Sequence, residues 1–204
     1  MGSDNLHHKK RATKAYKRKE SIRNMNDTFL IVCEGQKTEP LYFDSFKIKS
    51  ANVKVIGMGA NTISLVEETI KLKEGKDFNQ VWCVFDRDSF KAGNFYTAIQ
   101  LADKHGIEVA YSNEAFELWY LLHFHYLDTG IDRQQYKKKL DGLLGREYKK
   151  NDPNMYKLLQ SKQKTAIANA KRLLGSYTSG NPEHNKPSTT VHLLVEELNK
   201  FKKR

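Results

Sequence analysis

Apolar positions along the chain follow two periods. FLIVC (Phe29 to Cys33) is a continuous apolar run of strand length, and VKVIGMG (Val53 to Gly59) alternates with a period of two. QVWCVFDRD (Gln80 to Asp88) and IEVAYSN (Ile107 to Asn113) supply two more strands. Between these segments the period lengthens to that of a helix. TEPLYFDSF follows the first strand, with Thr38 as N-cap, Glu39 toward the positive end of the helix dipole and Pro40 in the first turn. In NTISLVEETIKLKEGK, Ile63, Val66 and Ile70 recur at helical spacing and Gly75 stops the helix. Phe95 to His105 is helical as far as Gly106, and Asn113 caps a helix across EAFELWYLLHFHYL. Four strands alternating with four helices predict an α/β fold, with mainly parallel strands covered by helices on both faces. Right-handed crossovers then gather the strand carboxyl ends along one edge.

Beyond Gly130 the strand pattern stops. RQQYKKKLDGLLGREY, KQKTAIANAKRLLGSY and TTVHLLVEELNKFKKR predict three helices; the loop SGNPEHNKPST joins the last two, and Ser188 or Thr189 caps the final one. The chain thus divides into a polar, basic tail (1–26), an α/β core (27–130) and a basic helical extension packed on that core (131–204). A chain of 204 residues suits one domain with such an extension. No apolar run approaches the ~20 residues of a membrane span, and the first residues lack an apolar leader-like run. A soluble, cytoplasmic protein is expected, with no membrane partner. Cys33 and Cys83 both fall inside strands, where they act as small apolar residues rather than as a disulfide framework.

The net charge of +11 is unevenly spread. Residues 1–26 carry +6, residues 27–130 carry −5 and residues 131–204 carry +10. An acidic centre between two basic arms suits metal ions held against a polyanion. The basic tail fits either a solubilising segment or a phosphate-binding arm.

The acids gather at strand ends. Glu34 ends the first strand and is followed at once by Gly35; Asp86 and Asp88 end the third. Side chains alternate along a strand, so Asp86 and Asp88 share a face and Arg87 turns away. Ligands of open parallel sheets bind beyond the carboxyl ends of the strands. If the first and third strands are neighbours, three carboxylates meet in one small volume, where they raise one another's pKa unless a cation neutralises them. Hard oxygen ligands select Mg²⁺ or Mn²⁺.

CEGQKTEPLYF, VWCVFDRD, SNEAFELWYLLHF and NKPSTTVHLLVEEL together resemble the RloB family, which is associated with phage-defence and restriction loci. The resemblance spans about residues 27–200. It implies a Toprim-like (Rossmannoid) domain, in which a glutamate after the first strand and a DxD after the third carry the chemistry. Those positions are Glu34, Asp86 and Asp88 here. The aspartates would coordinate the metal, and the glutamate would ligate it or move a proton. The implied activity is that of a metal-dependent nuclease acting on DNA or on RNA such as tRNA, working as a defence effector beside an ATPase partner. Nothing in the resemblance fixes an oligomeric state.

Other residues carry two readings each. Lys37, Thr38 and Glu39 face the same edge as Glu34 if the helix begins there; Lys37 would steady a phosphate and is otherwise a solvated turn lysine. EGQKT lacks the spacing of a P-loop, so nucleotide hydrolysis is not expected from it. Glu117 stands out as an acid in an apolar helix, either joining the catalytic acids, as a ligand of a second metal or a partner of the first, or stabilising the helix dipole from the surface. His123 and His125 are two apart and face different sides of a helix, which excludes a shared metal site. Arg87 and Lys186 join Lys37 and Thr38 as substrate-binding candidates, Lys186 within a late loop expected to fold back to the site. The basic helices after Gly130, with Tyr136, Tyr148, Tyr156 and Tyr177, offer charge for phosphates and rings for bases. The competing reading is a non-catalytic module that binds nucleic acid or docks an ATPase. Nucleotidyl transfer uses the same metal chemistry, but the small size and lack of a further catalytic domain argue against it.

Overall fold

A computed structural model describes residues 27–87, 93–178 and 180–202. The basic tail and Asp88 therefore lie outside the described residues. Four parallel strands, β1 (Asp27–Cys33), β2 (Ala51–Gly57), β3 (Gln80–Asp86) and β4 (Glu108–Asn113), alternate with helices α1 (Thr38–Asp44), α2 (Thr62–Lys73), α3 (Asn94–Lys104) and α4 (Glu117–Leu122). The C-terminal part adds α5 (Arg133–Leu144), α6 (Met155–Leu159), α7 (Gln163–Gly175), a two-residue strand β5 (Ser188–Thr189) and α8 (Val191–Lys202). This is a Rossmann-like α/β fold.

The sheet order is β2-β1-β3-β4-β5. The chain runs outward from β1 to β2, hops back over β1 to β3 and continues to β4. The direction of winding therefore reverses between β1 and β3, and a crevice opens there at the strand carboxyl ends. Glu34 and Asp86 flank that crevice.

Side-chain alternation divides the core in two. Phe29, Ile31 and Cys33 of β1, with Trp82 and Val84 of β3, pack with α1, α4 and the helices after Gly130. Leu30 and Val32, with Val81, Cys83 and Phe85, pack under α2 and α3. All of these are nearly inaccessible to water, which is why the strands read as unbroken apolar runs rather than alternating ones. Val32 pairs in register with Cys83, and both cysteines are buried and free.

Several sequence expectations shift. A fifth, antiparallel strand exists beyond Gly130: Ser188 and Thr189 pair with Asn113 and Ser112, and the Thr189 hydroxyl also accepts from Val191 N–H at the start of α8 (3.2 Å). Asn113 belongs to β4, and its amide donates to the carbonyls of Pro182, Glu183 and Asn185 rather than capping a helix. α4 is confined to Glu117–Leu122, shorter than the apolar pattern predicts. Lys37, not Thr38, is the N-cap of α1; the Thr38 hydroxyl donates instead to the Lys150 carbonyl at 2.8 Å. An additional short helix, α6, lies between α5 and α7. Among the described residues no helix is long and apolar enough to cross a membrane.

Candidate metal and phosphodiester site

Glu34 follows β1 directly, and its backbone is fixed on both sides. Its N–H donates to the Val84 carbonyl at 2.8 Å, and its carbonyl accepts from Gly59 N–H at 2.8 Å. Its carboxylate is held as well, with Oε2 accepting from Asp86 N–H (3.1 Å) and Oε1 from the Thr62 hydroxyl (3.2 Å). By alternation Glu34 continues the Leu30–Val32 face toward α2, and the bond from Thr62 at the start of α2 agrees.

Asp86 continues the Trp82–Val84 face, toward α4 and α5. There it meets Arg133 at the start of α5, with 3.6 Å between guanidinium and carboxylate. Burial pushes the Asp86 carboxyl well above the usual carboxylate range, and Glu39, Glu117 and, less strongly, Glu34 push it the same way against Arg133. Glu34 and Asp86 thus reach the crevice from opposite faces of the sheet. The stronger acid neighbours of Asp86 are Glu39 and Glu117.

The sequence places Glu39 near the positive end of the α1 dipole and on the same edge as Glu34. It is 7% exposed, and burial raises its pKa, with Glu117 adding to the shift while Lys150 and Arg133 oppose it. The sequence does carry a signal for it: Glu39 shares one helical stripe with Tyr42, Phe43 and Phe46, all buried. An acid on an apolar stripe faces the interior. Gly35 makes the room. A Cβ there would stand 2.1 Å from Glu39 Oε2, so the carboxylate lies over the glycine. Glu117, in the first turn of α4, accepts a hydrogen bond from the Tyr148 hydroxyl at 3.1 Å.

The family whose profile matches the chain is described as RloB-like protein, and the match runs over residues 29–198. The chain belongs to the RloB-like family. Neither the curated proteins nor the solved structures give a significant match.

The remaining candidates of the RloB-like chain occupy the same edge in different ways. Lys37 is exposed at the start of α1. Arg87 turns from the Asp86 face and pairs with Glu183 at 3.5 Å, while Gly93 N–H donates to the same carboxylate at 3.0 Å. Lys186 pairs with Glu114. The late loop does fold back to the strand ends, since it bonds Asn113, Glu114 and Arg87 together. Arg87 and Lys186 are thus committed to holding this loop. His123 is buried on Trp119, with Nδ1 at 2.8 Å from its carbonyl oxygen, and burial lowers its pKa to about 4.

Among the described residues, no three His, Cys, Asp or Glu side chains stand in a metal-holding arrangement. The donor chemistry nevertheless fits a hard cation. The acidic groups around Asp86 are carboxylates, hard oxygen donors that repel one another in a buried setting.

Proposed function

We propose that this RloB-like protein is a metal-dependent nuclease that hydrolyses phosphodiester bonds in nucleic acid, serving as a phage-defence effector beside an ATPase partner. The observation that carries this reading is the gathering of Glu34, Glu39, Asp86 and Glu117 at the crevice where the winding reverses. It agrees with the Toprim-like pattern that the sequence resembles.

Asp86, Asp88 and Glu34 would hold Mg²⁺ or Mn²⁺, which when bound neutralises charge on the scissile phosphate and acidifies a water. Glu34, fixed by Thr62 and the Asp86 N–H, presents a carboxylate oriented to ligate or to take the proton of the attacking water. Arg133 is placed to move from Asp86 to a phosphate oxygen, for which its planar fork of donors is suited. Glu117, oriented by Tyr148, adds negative charge that strengthens cation binding.

The test is incubation with total RNA, tRNA and plasmid in Mg²⁺, in Mn²⁺ and in EDTA. Wild-type protein should cleave at least one of these with metal only. Glu34→Gln and Asp86→Asn should each lose at least about a thousandfold in rate while keeping the native circular dichroism spectrum. Undiminished cleavage by Asp86→Asn would remove the assignment.

One observation favours a non-catalytic module instead: the Arg133 guanidinium already partners Asp86. Calorimetric titration with Mn²⁺ separates the two readings. A module shows no binding that depends on Asp86.

A further inference from the structure

Two adjoining cavities, of about 330 Å³ and about 1040 Å³, share Lys149 and Lys150 in their walls. The first opens beside Glu117, Arg133 and Tyr148; the second ends at Lys157 and Leu158. Together they form a trough that leads away from the carboxylates. Its acids are all engaged: Glu117 by the Tyr148 hydroxyl, Glu147 by Lys137 and Asp152 by Arg146. Lys149, Lys150 and Lys157 are exposed and have no ion-pair partner among the described residues. The trough is therefore cationic by these three lysines beyond its internal pairs.

The frame under them is fixed. Tyr148 is buried, and its N–H donates to Asp141. The Lys150 carbonyl accepts from Thr38, which ties the loop to the first turn of α1. Asn154 N–H donates to Asp152 at 2.8 Å, closing the turn before α6. Leu158, 46% exposed beside Lys157, offers an apolar contact of the kind a sugar or base face covers.

We infer that this trough holds the phosphate backbone of a nucleic-acid strand, delivering one phosphate to the carboxylates while Lys149, Lys150 and Lys157 bind those that follow. The inference rests on the nuclease reading for its purpose, but not for its test. A repeating anion suits it because the lysines run outward from the acids. An isolated anion would need only one of them.

The test uses the full chain in EDTA, so that cleavage does not interfere. Fluorescence anisotropy measures binding of short labelled single-stranded RNA, single-stranded DNA and duplex DNA across a salt series. The triple variant Lys149→Ala/Lys150→Ala/Lys157→Ala should weaken binding at least about tenfold. It should also flatten the salt slope by about 2, the value expected for three lost phosphate contacts on a single strand. The corresponding Lys→Arg triple should restore both, and Lys71→Ala/Lys104→Ala on α2 and α3 should change neither. The probe whose affinity follows the lysines identifies the strand. Wild-type affinity and slope in the alanine triple overturn the inference, as does displacement by polyglutamate as effective as by unlabelled RNA or DNA. Lysine-dependent binding without Mg²⁺-dependent cleavage leaves the trough standing and removes the nuclease. Cleavage unaffected by the alanine triple does the reverse.

Discussion

The two faces of the sheet are built for different purposes. Under α2 and α3, Leu30, Val32, Leu65, Val66, Cys83 and Phe85 make a self-contained apolar layer whose tie to the chemistry is Glu34, anchored by Thr62. The opposite face is larger and mixes aromatic packing with charge. Tyr42 contacts the rings of Phe43, Phe46, Phe116, Tyr120 and Tyr156, and around this cluster stand Glu39, Asp86, Glu117 and Arg133. Much of what completes that second face comes from beyond Gly130: Arg133, Tyr148 and Lys150. Residues after Gly130 therefore complete the candidate site on one face, while the α2–α3 face contributes to it through Glu34 and Thr62.

Core truncations break this comparison most severely. Leu118→Ala, at a fully buried position of α4 beside Glu117, should cost about 2–5 kcal/mol and lower the cleavage rate of the molecules that remain folded. Leu65→Ala on the other face should cost a similar amount yet leave the rate per folded molecule unchanged. Urea unfolding combined with active-fraction assays separates the two.

Gly35→Ala tests whether Glu39 belongs to the site. The clash falls on the end of a flexible side chain, so the fold should hold. Displacement of Glu39 should weaken Mn²⁺ affinity about tenfold, or about 1.4 kcal/mol. Titration calorimetry measures it.

Asp86 gives a pH signature of its own. Its folded pKa lies above the unfolded value of about 3.9, so between the two the native state holds more protons and stability falls as pH rises. Removing the charge relieves this. In EDTA, Asp86→Asn should melt higher than wild type at about pH 8, with the gap shrinking toward about pH 4. Metal should stabilise wild type and leave the variant unmoved. The smallest effect belongs to Tyr148→Phe, which removes the hydroxyl bonded to Glu117. It should cost about 1 kcal/mol or less in stability and shift metal affinity by a few-fold at most.

The four parallel strands and helices α2 and α3 were legible because their apolar spacing is local. Gly75 and Gly106, read as helix stops, follow α2 and α3 with positive φ. β5 was not legible. Two residues carry no period, and Ser188–Thr189 become a strand only because Ser112 and Asn113 lie beside them. α4 came out short for a related reason: at its start Asn113 is taken by carbonyls some 70 residues later in the chain, so it cannot serve as a cap. Of the site, the strand-end positions of Glu34 and Asp86 followed from the sequence, and the reversal of winding between β1 and β3 brought those ends together. Their approach from opposite faces did follow from alternation, but only once β1 and β3 were known to be adjacent and in register. Glu39 was legible as an acid on the Glu34 edge but not as a neighbour of Asp86, because its first-turn position offered a sufficient explanation although its stripe pointed inward.

The short antiparallel strand β5 has a consequence for how copies of the chain can meet. It covers the end of β4 near the site, where Ser112 and Asn113 would otherwise offer unpaired backbone groups. The opposite border of the sheet is β2, whose seven residues have no strand on their outer side among the described residues. Lys54 stands exposed midway along it, a charged residue of the kind that discourages strand-to-strand docking. Sheet extension is thus opposed at one border by pairing and at the other by charge.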